Sequence, residues 1–329
     1  MKQAWLIGLV GALVAWGCRK ERDAPQPLRV GLLPNVTHAQ ALVGDHEQAF
    51  ARALAPAHLA VKQFNAGPSA MEALISGSLE VSYVGTGPAI NAYLKGGRGL
   101  RIIAAAVNGG AVLVTRSARS WEDLRAKTLA APQIGNTQDI ALRHWLRGHG
   151  LEPGRDVQVF ALANPEIQGM FERGELEGAW VPEPWGARMI AAGGRMLVDE
   201  RELWPERRFH TTVIVTTQRA LERRREDIKK LLRAHVELTR KWQENPSDFV
   251  GAVAAAFKAH AGKELDPGVL ADAFSRLEPA LRPDDAHVHE VARHARELGY
   301  AASDEVSGIV DRSLLDEVMR DLGLAYTGP

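Results

Sequence analysis

Between Leu28 and Trp204 the chain alternates short, strand-forming apolar runs with longer stretches whose apolar positions recur at helical spacing, which leaves few architectures open. The run "LRVGLLP" stops at Pro34 and is followed from Thr37 by "THAQALVGDHEQAFARAL", with Leu42, Val43, Phe50 and Leu54 on a helical repeat. "HLAVKQFNAG" is a second strand and leads to the helix "PSAMEALISG", ended by Gly77. "LEVSYVG" is a third and leads to "TGPAINAYLKGG", closed by Gly96, and "LRIIAAAV" and "AVLVTR" supply two more strands. Near Ser117 the pattern starts again. "SWEDLRAKTLAAP" holds a short helix and a strand, "NTQDIALRHWLRGHG" a helix, "DVQVFAL" a strand, "NPEIQGMFERG" a helix and "LEGAWV" a strand. His210 opens a β-branched strand, "HTTVIVTT". Beyond it helical periodicity dominates, as at Ile228, Leu231, Leu232, Val236, Leu238 and Trp242. The expected fold class is α/β: two lobes, each a mainly parallel sheet covered by helices, with a helical C-terminal region and crossovers near Thr115 and His210.

The first seventeen residues stand outside that pattern. One early lysine and an uncharged stretch from Gln3 to Gly17 read as a secretion signal, its apolar core shorter than the about 20 residues of a comfortable spanning helix. Cys18, the only cysteine, follows directly, and a single thiol gives an exported chain no disulfide framework. "RKERDAPQPL" then reads as a flexible tether. The expected divisions are 1–17 signal, 18–27 tether, 28–115 with 210–329 as the first lobe, and 116–209 as the second. Lys+Arg and Asp+Glu both number 40, so no global basic field points to nucleic acid.

In open α/β sheets ligands lie where strand ends lead into helix N-termini with unpaired N–H groups. The loops at that position are "PNVTH", "GTGP", "VNGG", "PQIGNTQ" and "VPEPW". Thr37, Thr86, Asn136 and Thr137 offer hydrogen bonds there, and Gly85, Gly87, Gly109, Gly110 and Gly135 allow close backbone approach. Helix N-termini of this kind suit a small anion; the alternative is that Thr86 and Asn136 only cap their helices. In "AWVPEPW", Trp180 is expected at a strand end, with Glu183 and Trp185 facing a ligand's amino group through charge and π-face; the alternative has Glu183 complementing the next helix and Trp185 in the core.

Catalytic patterns fail. In "HEVARH" the second histidine, His294, comes five residues after His289, off the face a zinc motif needs, so a solvated helix surface is expected. No Gly-x-Ser-x-Gly elbow and no Gly-Lys-Ser/Thr phosphate loop occur, and His38 has no serine or cysteine nucleophile beside it in sequence. No metal and no cofactor are expected.

Two resemblances add to this reading. The N-terminal segment resembles a bacterial lipoprotein precursor, which implies a lipid anchor on Cys18; an ordinary cleaved signal or a retained anchor are the alternatives. "RVGLLPNVTHAQALVG", "YVGTGPAINAYLKGG", "NGGAVLVTR", "LAAPQIGNTQDIALRHWL" and "GAWVPEPWGARM" resemble the solute-binding proteins of ABC importers for nitrate, sulfonates and taurine, over Leu28 to Leu324. That resemblance implies a two-lobed, periplasmic-binding-protein-like (type 2) fold closing about a hinge, with partners in a small organic anion, a permease and its ATPase. It implies a monomeric, non-enzymatic protein at the membrane surface. On matching positions it points to Asn35, Thr37, His38, Thr86, Gly87, Asn136 and Thr137, to which the loop reading adds Gly85, Asn108 and Gly109, with Trp180, Glu183 and Trp185 as further ligand contacts. A lipid-anchored sensor, or an enzyme resembling the eukaryotic thiamine-pyrimidine synthases, are the other readings; the latter rely on a cysteine-rich segment, and no cysteine follows Cys18.

Overall fold

A computed structural model describes residues 26–324; the expected signal segment and Cys18 lie outside the described residues. The first block folds as β1 (Leu28–Leu32), α1 (Ala39–His46), α2 (Ala49–Leu54), β2 (Leu59–Gln63), α3 (Gly67–Ile75), β3 (Val81–Val84), α4 (Thr86–Leu94) and β4 (Leu100–Gly109). The second comprises β5 (Ala111–Thr115), β6 (Thr128–Pro132), α5 (Thr137–Gly148), β7 (Gln158–Leu162), α6 (Asn164–Glu172), β8 (Gly178–Pro182), α7 (Trp185–Ala191) and β9 (Arg195–Asp199). Then come β10 (His210–Thr217), α8 (Gln218–Glu244), α9 (Pro246–Ala261), α10 (Pro267–Phe274), β11 (Leu277–Pro279), α11 (Asp285–Glu297) and α12 (Ser313–Asp321). The stretch expected as one helix from Thr37 breaks in two, because Gln48 takes a left-handed conformation (φ 59°) and Phe50 folds back over Gly44.

Two sheets result, ordered β11-β4-β10-β3-β1-β2 and β7-β6-β8-β5-β9. They are mixed, which corrects the expectation of mainly parallel pairing. β1 runs parallel to β2 and β3, and β6 parallel to β7 and β8. β10, however, lies antiparallel between β3 and β4, and β5 antiparallel between β8 and β9. Each sheet is thus a helix-linked parallel set into which one crossover strand inserts. A parallel pair needs a long connection, whereas β4 and β5 are separated by Gly110 alone. The first passage between sheets therefore falls at Gly109–Gly110, not near Thr115, and β5 is bonded into the second sheet. β9 and the three-residue β11 were not anticipated.

Strand side chains alternate between cores as the period of two requires. On one face of the first sheet Tyr83, Ile103 and Ile214 pack with Leu42, Phe50, Ile228 and Trp242. On the other, Val84, Ile102, Val213 and Val215 pack with Met71, Ile90 and Val291. In the second sheet Leu113, Leu129 and Trp180 face Leu142 and Leu146, while Val112, Ala130 and Val181 face Phe171 and Met189. Among the described residues no helix is long and apolar enough to cross a membrane.

Candidate functional site

The carboxyl ends of β1, β3 and β4 bring Asn35–His38, Gly85–Gly87 and Asn108–Gly110 against the opposite lobe's Gly135–Thr137 and Glu183–Trp185. Several hydrogen bonds cross between the lobes at this junction. Gly87 N donates to Thr137 Oγ1 (3.2 Å), Asn91 Nδ2 to Gly135 O (2.8 Å), Trp185 Nε1 to Asn35 Oδ1 (3.0 Å) and Arg276 Nε to Glu183 Oε1 (2.7 Å). Glycine is required at the α4 start. A Cβ on Gly85 would lie 2.4 Å from Thr137 Oγ1, and one on Gly87 2.9 Å from Thr137 Cα.

The helix starts carry the electrostatics. Asn136 caps α5, its Oδ1 accepting from Thr137 N (3.0 Å). At the α4 start the free Gly87 amide receives the Thr137 hydroxyl oxygen, a partial negative charge at the positive end of a helix. Thr86 Oγ1 donates to His210 O (2.5 Å), tying α4 to the returning crossover. His210 Nε2 accepts from Asp284 N (2.7 Å), so Nδ1 carries the proton and donates to Asn108 Oδ1 (2.6 Å). Burial brings His210 down to about 4 and His38 to about 3, leaving both imidazoles neutral near pH 7. His38 Nδ1 accepts from Leu33 N (3.4 Å) and shapes the turn after β1. Thr37 is buried with its methyl toward Gly110, whose positive φ (76°) lets the chain pass between sheets.

A model of the NMT1-like family matches residues 21–256. The chain belongs to the NMT1-like family. This NMT1-like chain is 26% identical over 190 residues to the taurine-binding periplasmic protein of Escherichia coli K12, an alignment covering 56% of the chain and spanning 58% of that relative's length. Its fold is similar to the alkanesulfonate-binding protein SsuA from Xanthomonas axonopodis pv. citri bound to MOPS (TM-score 0.74, 18% identity, 88% of this chain and 99% of that one). It is also similar to the periplasmic nitrate-binding protein NrtA from Synechocystis PCC 6803 (TM-score 0.72, 16% identity, 91% and 90%). The two-lobed α/β class expected from the sequence is that of these structures.

Within this NMT1-like fold two expectations at "AWVPEPW" are corrected. Trp180 does not face the lobe junction: it is fully buried between β8 and α5, its indole N–H donating to Glu200 Oε2 (2.7 Å). Glu183 is not available to an amino group. Its Oε1 is paired with Arg276 and its Oε2 accepts from Ala187 N (2.9 Å), so it serves the start of α7 and an ion pair at once. Burial pushes the Glu183 carboxyl up, against the pull of Arg276 and the Ala187 amide. On Arg276 burial pulls down, but Asp272 and Glu183 more than offset it, so the pair stands as carboxylate and guanidinium. Trp185 is half-buried on the lobe junction with the Arg188 guanidinium 5.0 Å from its ring centre. Asn35, Thr37, His38, Gly85, Thr86, Gly87, Asn108, Gly109, Asn136 and Thr137 do gather at the junction.

His210, Thr211 and Arg276 are junction residues that sequence reasoning missed. Thr211 Oγ1 donates to Gly109 O, and a Cβ on Gly109 would lie 2.3 Å from Arg276 O. "HTTVIVTT" reads only as a strand, and nothing in the spacing of "FSRLEP" marks its arginine. The solvated surface expected for "HEVARH" is also corrected: His289 is exposed, but His294 is buried and stacks on His144 with ring centres 3.5 Å apart. Among the described residues no three His, Cys, Asp or Glu side chains are placed to share a metal ion.

Proposed function

We propose that this protein is the solute-binding component of an ABC importer, which captures a small organic anion between its lobes and delivers it unchanged to a permease driven by an ATPase. The carrying observation is the pairing at the α4 start, where an oxygen from the opposite lobe occupies a helix N-terminal amide. An anion's oxygen takes that position by displacing the Thr137 hydroxyl, with the Asn136-capped start of α5 facing it. Similarity to proteins that bind taurine, alkanesulfonate and nitrate supports this class of ligand. Export beyond the inner membrane with an anchor at Cys18 belongs to the same reading, and radiolabelled palmitate incorporated into the full chain but not into Cys18→Ala is its check.

An alkanesulfonate fits best, because three acceptor oxygens can address N–H groups from two helix starts at once. With Glu183 engaged by Arg276, the ground for preferring taurine over an alkanesulfonate without an amine lapses. Thermal unfolding against ethanesulfonate, taurine, nitrate and sulfate tests the reading. A ligand at 100 times its dissociation constant adds about 2.7 kcal/mol. Stabilisation by ethanesulfonate at least equal to that by taurine is expected; no response to any anion rejects the site.

A further inference from the structure

A cavity of about 500 Å³ lies apart from the anion loops, walled by the later turns of α5, the segment 203–208 and α11. Its volume is in the range of small-molecule sites, about 300–1,000 Å³. None of the junction residues named above lines it. Of its wall groups, one is buried with no hydrogen-bond partner and another is a buried carboxyl with no cationic partner. Glu200, 1% exposed, accepts from the indoles of Trp180 and Trp204, but among the described residues no lysine or arginine pairs with it. His287, 4% exposed, has both ring nitrogens without a hydrogen-bond partner. Buried polar groups left so are costly, and each calls for a structural or functional account.

The charge of the wall selects among occupants. Of the wall's carboxyl groups Glu290 is held by Arg293 and Asp284 caps α11, accepting from Ala286 N (2.8 Å), while the one guanidinium, Arg208, leans on Glu206 (3.4 Å); Glu200 is the buried carboxyl with no cation beside it. Burial pushes Glu200 up to about 8 and lowers His144, His287 and His294, so the imidazoles add no positive charge near neutral pH. The nearest basic side chain in sequence, Arg201, is taken by Asp199. The indoles of Trp145 and Trp204 supply aromatic surface. The wall offers an anion no guanidinium that is not already paired, and metal-ligand geometry is lacking among the described residues.

We propose that this cavity is a second binding site, for a small organic cation whose ammonium group pairs with Glu200 and His287 while its apolar body rests on Trp145 and Trp204. An ammonium offsets the burial that keeps the proton on Glu200, so the carboxyl releases that proton to water and accepts a charge-assisted hydrogen bond; the same cation gives His287 an N–H to accept and is attracted to indole faces. The proposal is independent of the anion site. Because α5 belongs to one lobe and α11 to the other, the occupant also bridges the lobes beside the returning crossover.

The test uses the full chain with phenethylammonium as probe and 2-phenylethanol, the uncharged isostere, as control, read by calorimetry and tryptophan fluorescence. Saturable phenethylammonium binding is expected, with the alcohol at least about tenfold weaker, the loss typical of one charged hydrogen bond. Glu200→Gln keeps an acceptor for Trp180 but cannot ionise when the ammonium arrives, and affinity is expected to fall about tenfold or more. Should that variant fail to fold, Gly148→Leu decides. Gly148 is on the cavity wall, a Cβ there meets no atom within 4 Å, and the leucine is expected to narrow the cavity while leaving circular dichroism and unfolding midpoint as in the parent. No binding up to about 10 mM, equal affinity for the alcohol, or parental affinity in the folded variants overturns the proposal.

Discussion

Glu183 and Arg276 meet with side chains 0% and 6% exposed, so neither charge has water to fall back on. Arg276 keeps Asp272 if Glu183 is removed, but removing Arg276 strands the buried Glu183, which typically costs about 3–5 kcal/mol, whereas replacing both by apolar or neutral groups of similar size is often close to neutral. Arg276→Gln is therefore expected to lower the urea unfolding free energy by about 3 kcal/mol or more, and adding Glu183→Gln to recover much of the loss. A single variant as stable as the parent would show that the pair carries no such charge. This residue also marks where reading the sequence stops. That Glu183 serves the start of the following helix is only the alternative that its place before Trp185 offers, and the bond to Ala187 N favours that alternative over the amine contact. Its cationic partner comes 93 residues later, and no spacing rule reaches that far. Trp180 fails for the same reason: a tryptophan at a strand end looks alike whether it faces a ligand or a buried glutamate.

At the scale of elements, the junction depends on how closely α4 approaches the start of α5. A methyl group on Gly87 would lie 2.9 Å from Thr137 Cα and 3.0 Å from its N, both backbone atoms that no rotamer change can move. Gly87→Ala is expected to hold the lobes apart, raising the radius of gyration in small-angle scattering and weakening ethanesulfonate by about tenfold or more. Unchanged affinity would move the anion site away from the α4 start. Most strands and helices were legible because each buries its own periodic face; the "LRVGLLP", "LEVSYVG" and "LEGAWV" runs all became strands. Pairing direction was not, since β5 and β10 insert between strands whose own helices link them in parallel, a long-range event that local patterns do not encode.

At the scale of the whole molecule, buried histidines set the response to acid. Burial lowers His38 to about 3 and His210, His235 and His294 to about 4, from an ordinary 6.5. Below about pH 6.5 the unfolded chain takes up protons that the folded chain refuses, so stability is full above that pH and lost as pH falls toward 4. Glu200 acts in the opposite sense. Raised to about 8, it keeps its proton in the folded state and loses it near 4.5 when unfolded, so its contribution declines as pH rises from about 4.5 to 8. The histidines lowered by burial outnumber the carboxyls raised by it, which makes acidification the stronger effect, and a stability maximum near about pH 6.5 is expected in urea titrations between about pH 5 and 8.5. A midpoint that is flat or rising from about 6.5 down to 5 contradicts the neutral, buried histidines.

The two passages between the sheets lie side by side: Asn108 pairs with His210, and Gly109 N donates to Phe209 O (3.0 Å). The second lobe is therefore a closed loop hung from the first, its mouth stitched by main-chain bonds. Tension applied at Leu28 and Asp321 would run through the first sheet and its helices, and the second lobe would bear no load until that stitching parted. Joined at the same mouth, a shorter linker in place of 110–209 would leave β4 and β10 in register, so the second lobe can be exchanged as a cassette without re-threading the rest of the chain.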